Sequence, residues 1–111
     1  HGVKVSVKFN TEFIETINAT EPTRAVVDAA LSIGLEAEGN CAPMSFSEDF
    51  AHFSAAVPGC FLLMGNGEAG PCGQPLHSND YDFNDDLLPI GAAFWAQLVR
   101  DRLPVTKSEG E

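Results

Sequence analysis

From residue 3 the chain alternates: Val3, Val5, Val7 and Phe9 are apolar, while Lys4, Ser6 and Lys8 between them are polar or charged. A period of two sends successive side chains to opposite faces, so the pattern predicts a strand with one buried and one wet face. Residues 11–17 stay extended in character, with Phe13, Ile14 and Ile17 apolar, and residues 18–22 break the pattern. That break reads as a crossing between two structural units. The period then lengthens. Thr20 or Asn18 is expected to cap a helix with Glu21 and Pro22 in its first turn, where a missing N–H removes no bond. Ala25, Val26, Ala29, Ala30 and Ile33 form its buried stripe, and Gly34 ends it.

After an extended segment over residues 37–43, Ser47 is expected to cap a short helix beginning Glu48-Asp49, whose acids suit the positive end of a helix. Its inner face is predicted as Phe50, Phe53 and Ala56 or Val57, with Pro58-Gly59 closing it. Cys60-Phe61-Leu62-Leu63-Met64 is apolar throughout, which predicts a strand covered on both faces of an α/β sheet. Residues 65–75 are too rich in Gly and Pro for regular structure, and loops at strand ends of such sheets are where sites are built. This loop delivers His77. From about Asp85, which is expected to cap, a last helix carries Pro89 in its first turn and Leu88, Ala92, Trp95, Leu98, Val99 and Leu103 at helical spacing. Residues 104–111 are polar and predict a frayed tail.

Composition narrows the class. The 111 residues, 44% of them hydrophobic, suffice for one domain or part of one with a modest core. Sixteen acidic residues against six basic ones give a net charge of −10, which repels phosphate backbones and anionic lipid and attracts cations. Neither a nucleic-acid nor a membrane partner is therefore expected. Cys41, Cys60 and Cys72 are odd in number and lack zinc-finger spacing, which predicts a reducing, cytoplasmic setting. No stretch approaches about 20 apolar residues, and His1-Gly2-Val3-Lys4 lacks the layout of a signal peptide. The missing initiator Met and the immediate entry into a strand predict a piece of something longer.

The stretch with most chemistry is Leu76-His77-Ser78-Asn79-Asp80-Tyr81-Asp82-Phe83-Asn84-Asp85. Imidazole is the commonest protein metal ligand, and a carboxylate such as Asp80 or Asp82 is the usual partner for its other nitrogen. The plainer alternative is a solvated loop histidine. Asp80-x-Asp82-x-Asn84 copies the start of a calcium loop, but Asp85 and Gly91 stand where that loop needs Gly and a bidentate Glu. Glu48 and His52, four apart, are a possible ligand pair on one helix face, against a helix-start acid and a surface histidine. Cys72 and His77 flank the loop, although Cys72 also suits a small buried thiol. Gly65-Asn66-Gly67 lacks the spacing of a phosphate-binding fingerprint, and no Ser or Cys sits in a nucleophile signature.

Ser47-Glu48-Asp49-Phe50-Ala51, Val57-Pro58-Gly59-Cys60-Phe61, Met64-Gly65-Asn66-Gly67, Leu76-His77-Ser78 and Tyr81-Asp82-Phe83-Asn84-Asp85, with Pro89-x-Gly91-Ala92 following, form an ordered set. On these residues, from His1-Gly2 to about Leu103, the sequence resembles the C-terminal part of the metal-dependent amidohydrolase and metallopeptidase family of hippurate hydrolase, N-acyl-amino-acid amidohydrolases and indole-acetyl-amino-acid hydrolases. The resemblance implies an α/β fold, the C-terminal half of a zinc-exopeptidase-like catalytic domain, preceded by the last strand of an α+β lid domain. Residues 1–17 would be the end of the lid (dimerisation) domain and the hinge, and 18–111 the C-terminal part of the catalytic domain.

The resemblance also implies two divalent metals per active site, zinc, manganese or similar, and a metal-activated water that attacks the amide of an N-acyl amino acid or similar small amide. His77 matches the family's last metal ligand. Glu48 matches an acid near the active centre, and Glu48, Asp49, Gly65, Asn66, Gly67, Asp80 and Asp82 are the expected second shell or substrate pocket. The family's Cys-x-His or Asp-x-His pair, its Glu-Glu pair and its remaining ligand lie outside this segment. No catalytic residue is therefore assigned here, and the segment alone, with one imidazole and no base, is expected to be inactive without the remainder of the catalytic chain; a homo-oligomer is also expected. The alternative is a free-standing, non-catalytic binding or oligomerisation module derived from this fold.

Overall fold

Small side chains at Ala29 and Ala30 decide where the helices meet. In a computed structural model, which describes residues 2–10 and 13–103, helix α1 (Thr20–Ser32) packs on helix α3 (Leu87–Arg102). Phe94 of α3 is 2% exposed against the two alanines, and Val26, Ile33, Leu35, Leu62 and Leu98 close around them. Burying one such aromatic ring contributes about 1.5–3 kcal/mol. A short helix α2 (Phe50–Ala56) and a single 3-10 turn (Pro71–Gly73) complete the regular elements among the described residues.

Helix α1 ends as its glycine predicts. Gly34 takes a positive φ of 81°, its N–H donates to the Leu31 carbonyl at 3.0 Å, and the Leu35 N–H donates to the Ala30 carbonyl at 3.0 Å. This pair of bonds satisfies carbonyls that the helix end would otherwise leave bare, and Leu35 packs against the core beside Ala30. The start differs from expectation. The cap position is Ala19, with no side-chain cap bond, because the Asn18 amide is spent on the Phe61 backbone and the Thr23 hydroxyl donates to the Ala19 carbonyl at 2.8 Å.

The other two helices also depart from the predicted caps. Helix α2 starts at Phe50 rather than Glu48, with Asp49 at the cap position in helical geometry and no side-chain bond from it or from Ser47. Ala51 is its buried residue, whereas Phe53 and Val57, predicted to face inward, are 65% and 61% exposed. Phe50 does turn inward, its ring 5.6 Å from that of Phe61. In helix α3 the cap position falls on Asp86, one residue after the expected Asp85, in helical geometry and with no side-chain cap bond. Its inner row is Leu87, Gly91, Phe94 and Leu98, so of the predicted stripe only Leu98 joins the core. The rest, including Leu88, Trp95, Val99 and Leu103, forms a second apolar row rotated by one position and left exposed.

No strand occurs among the described residues. At residues 3–9 the alternation is present in the sequence but Val3, Val5, Val7 and Phe9 are 67–88% exposed, and the segment forms no ladder with the other described residues. A strand is defined by its partner, and a lone segment of this kind has none. Residues 60–64 likewise lack a paired strand; the Asn18 side chain bonds the Phe61 backbone, and the Ala19 N–H donates to the Gly59 carbonyl just before them. The principal extents of 86 × 41 × 20 Å and radius of gyration of 20.0 Å, against about 13 Å for a compact domain of this length, show an elongated rather than compact shape. The predicted tail at residues 104–111 lies outside the described residues.

Candidate functional site

The Gly/Pro-rich stretch after Met64 folds into a closed loop. Its entrance is the 3-10 turn, where the Gly73 N–H reaches the Ala69 and Gly70 carbonyls at 3.2 Å. A side chain at Gly73 would place its Cβ 2.6 Å from the Glu68 carbonyl carbon, so only glycine lets the two backbones pass this closely. Pro75 to Ser78 then makes a tight turn, with the Ser78 N–H donating to the Pro75 carbonyl at 3.1 Å. A second follows as the Tyr81 N–H donates to the Ser78 carbonyl at 3.2 Å, with the Ser78 hydroxyl accepting the Asp80 N–H at 3.4 Å.

His77 stands third in the first of these turns with φ of 70°, the one described residue other than glycine with a positive φ. A positive φ at that position normally selects Gly or Asn. For an L residue the conformation costs about 1–2 kcal/mol and persists only where the surroundings enforce it. The surroundings here are the loop's neck. The Asp82 N–H donates to the Pro71 carbonyl at 3.2 Å, and Asn66 binds both sides of the neck. His77 itself is exposed at the apex.

Beside the neck lies an open groove of about 480 Å³ between the loop and the start of α3, with Asn66, Phe83, Leu88 and Gly91 among its walls. It is mostly apolar in character. The ring of Phe83, one of the wall residues, meets that of Tyr81 edge to face with centroids 5.2 Å apart.

The predicted site residues are spread over two regions. His77, Asp80 and Asp82 share the loop, but no hydrogen bond joins the His77 ring to either carboxylate; Asp82 contributes its backbone to the neck instead. Gly65 and Gly67 flank Asn66, and of the expected pocket residues Asn66 alone lines the groove. Glu48 and Asp49 are exposed ahead of α2, where their carbonyls accept the Ala51 and His52 N–H groups. Because α2 starts at Phe50, Glu48 and His52 do not share a helix face. Cys72 is half-buried, and Cys41, Cys60 and Cys72 are all free thiols. Asn84, which no sequence pattern singled out for this role, donates its backbone N–H to Asn66 Oδ1 at 2.9 Å, and a backbone donor leaves no signal in the residue type.

Among the described residues no three His, Cys, Asp or Glu side chains converge as a metal site requires. The residues present thus do not make a metal cage by themselves; they offer one exposed imidazole on a constrained loop.

The chain belongs to Peptidase family M20/M25/M40, whose model matches residues 3–101. It is similar to IAA-amino acid hydrolase ILR1-like 2 of Arabidopsis thaliana, 37% identical over 78 residues that cover 70% of this chain and 18% of that protein. It is also similar to IAA-amino acid hydrolase ILR1-like 5 of the same plant, at 38% over 69 residues, 60% of this chain and 16% of that one. Thermostable carboxypeptidase 1 of Saccharolobus solfataricus is 31% identical over 101 residues, 89% of this chain and 25% of the relative. The chain therefore spans a quarter or less of the length of these relatives. No solved structure matches it. No helix among the described residues is long and apolar enough to cross a membrane.

Proposed function

We propose that this chain is the C-terminal part of a metal-dependent hydrolase that cleaves the amide of N-acyl amino acids or similar small amides, with His77 contributing one ligand to a site completed by donors elsewhere. The observation that carries the reading is the backbone of His77. An exposed histidine at φ 70° occupies a turn position where glycine is the relaxed choice, and such strain, held in place by a hydrogen-bonded neck, is characteristic of residues kept for function. Membership of Peptidase family M20/M25/M40 supports hydrolysis, and the IAA-amino acid hydrolases among its relatives support an acyl-amino-acid substrate over a long peptide.

On this reading residues 18–111 belong to an α/β zinc-exopeptidase-like catalytic domain and residues 1–17 close a lid (dimerisation) domain and hinge. The unpartnered apolar positions support a missing cover: Val5 and Phe9 are 78% and 88% exposed, and Trp95 is 56% exposed on the second row of α3. The remainder of the catalytic chain would cover α3, and a neighbouring strand would cover residues 3–9, in a homo-oligomer of cytoplasmic location. Two divalent ions per site, zinc, manganese or similar, complete the proposal. The part assigned to this chain is to present the imidazole and to form a groove wall.

The test is hydrolysis of a panel of N-acyl amino acids by the intact protein containing this chain, before and after chelation, with His77→Ala alongside. Hydrolysis that requires divalent metal and disappears in the variant is expected. A metal-replete protein that hydrolyses none of the panel would overturn the reading in favour of a non-catalytic binding module.

A further inference from the structure

The Asn66 side chain touches both ends of the loop that carries His77. Its Nδ2 donates to the Cys72 carbonyl and to the Asp82 carbonyl, each at 2.8 Å, and its Oδ1 accepts the Asn84 N–H at 2.9 Å. A primary amide has two N–H donors and one carbonyl oxygen, and all of them are used. The partners also fix which way the amide faces, since a flip would set its oxygen against two carbonyl oxygens and its NH2 against an N–H. Cys72 and Asp82 are each five residues from His77. One side chain thus pins the two arms of the loop at equal distance from its apex.

We infer that Asn66 is a positioning residue: by fixing the separation of Cys72 and Asp82 it holds His77 in its left-handed backbone conformation and sets the direction in which the imidazole is offered. The inference rests on the reading of His77 as the functional group of this loop, and it adds the residue that aims it. Chemistry at position 66 matters more than volume. An aspartate there keeps the shape and the acceptor but has no hydrogen to donate, so both neck bonds are lost.

The experiment compares the full chain with Asn66→Asp and Asn66→Ala by NMR, following the His77 backbone amide and ring resonances and the exchange rate of the Asn84 amide. Resonances of Ala29, Ala30 and Phe94 report whether the α1–α3 core stays folded, and if Asn66→Ala disturbs them the isosteric Asn66→Asp is the variant read. In Asn66→Asp the His77 amide and ring signals are expected to shift or split with the core unchanged, and in Asn66→Ala the Asn84 amide exchange is also expected to rise about tenfold or more. In the intact enzyme kcat is expected to fall by about 10²-fold with KM nearly unchanged, the signature of a misplaced group. Unchanged His77 resonances, or an unchanged Asn84 exchange rate in Asn66→Ala, would overturn the inference. If the wild type hydrolyses nothing while the His77 signals move as expected, the hydrolase reading fails and the role of Asn66 in aiming His77 stands.

Discussion

Asn18 pairs with Phe61 as a neighbouring strand would: its Nδ2 donates to the Phe61 carbonyl at 2.8 Å, and its Oδ1 accepts the Phe61 N–H at 2.7 Å. With the Ala19 N–H donating to the Gly59 carbonyl at 2.9 Å, this joins the start of α1 to the apolar segment 43 residues further on. The Asn18 side chain thus supplies two of the hydrogen bonds that join the start of α1 to this segment, beside the Ala19 backbone bond and the packing of Leu62 on the core. Asn18→Ala leaves both Phe61 groups without their partner. Because the site is exposed and water replaces part of the loss, a cost of about 1 kcal/mol is expected in chemical denaturation, with faster exchange of the Phe61 amide.

Helix α3 offers a direct comparison of its two apolar rows. Phe94 is 2% exposed and its neighbour Trp95 is 56% exposed, although the rings touch at 5.2 Å. Phe94→Ala opens a cavity against Ala29 and Ala30 and is expected to destabilise the chain by about 3–5 kcal/mol. Trp95→Ala is expected to cost about 1 kcal/mol or less in this chain, as a substitution on an exposed surface. Urea denaturation of the two variants measures the difference, and equal losses would place the core on the wrong row.

How far the sequence carries the fold is clear at this helix. Helical spacing identified α3 and nearly its limits, but Leu88, Trp95 and Val99 recur with the same period as Leu87, Phe94 and Leu98, one position round. Periodicity cannot choose between two adjacent apolar rows; the partner does, and Ala29 and Ala30 admit Phe94. The alternation at residues 3–9 and the apolar run at 60–64 were readable as strand patterns, but neither segment pairs as a strand in the structure. In the candidate site, an irregular loop carrying His77 was legible from the Gly/Pro-rich lead-in, whereas the neck was not, because Asn66 acts across 16 and 18 residues on backbone groups that any residue provides.

Two glycines are expected to respond oppositely to alanine. At Gly91, inside α3, a new Cβ would lie 3.9 Å from the Met64 thioether, an ordinary contact, so the gain in helix propensity should raise stability by about 0.5–1 kcal/mol. At Gly73 the Cβ would lie 2.6 Å from backbone carbon of Glu68, and the loop entrance must open. Gly73→Ala is expected to accelerate amide exchange at Gln74 and Asp82, whose N–H groups bond to the Pro71 carbonyl, and to leave the α1–α3 core intact.

His77→Gly separates strain from function. Glycine adopts φ 70° without penalty, so the loop should be as stable as in the wild type or about 1 kcal/mol more so. Any loss of function in this variant therefore comes from the missing imidazole and not from unfolding.

The most direct measurement is the metal content of the intact protein, determined by elemental mass spectrometry after dialysis for wild type and His77→Gly. Two divalent ions per active site in the wild type and about one in the variant, with stability kept, is the predicted result. Equal metal content in the two proteins would contradict the assignment of His77 as a ligand.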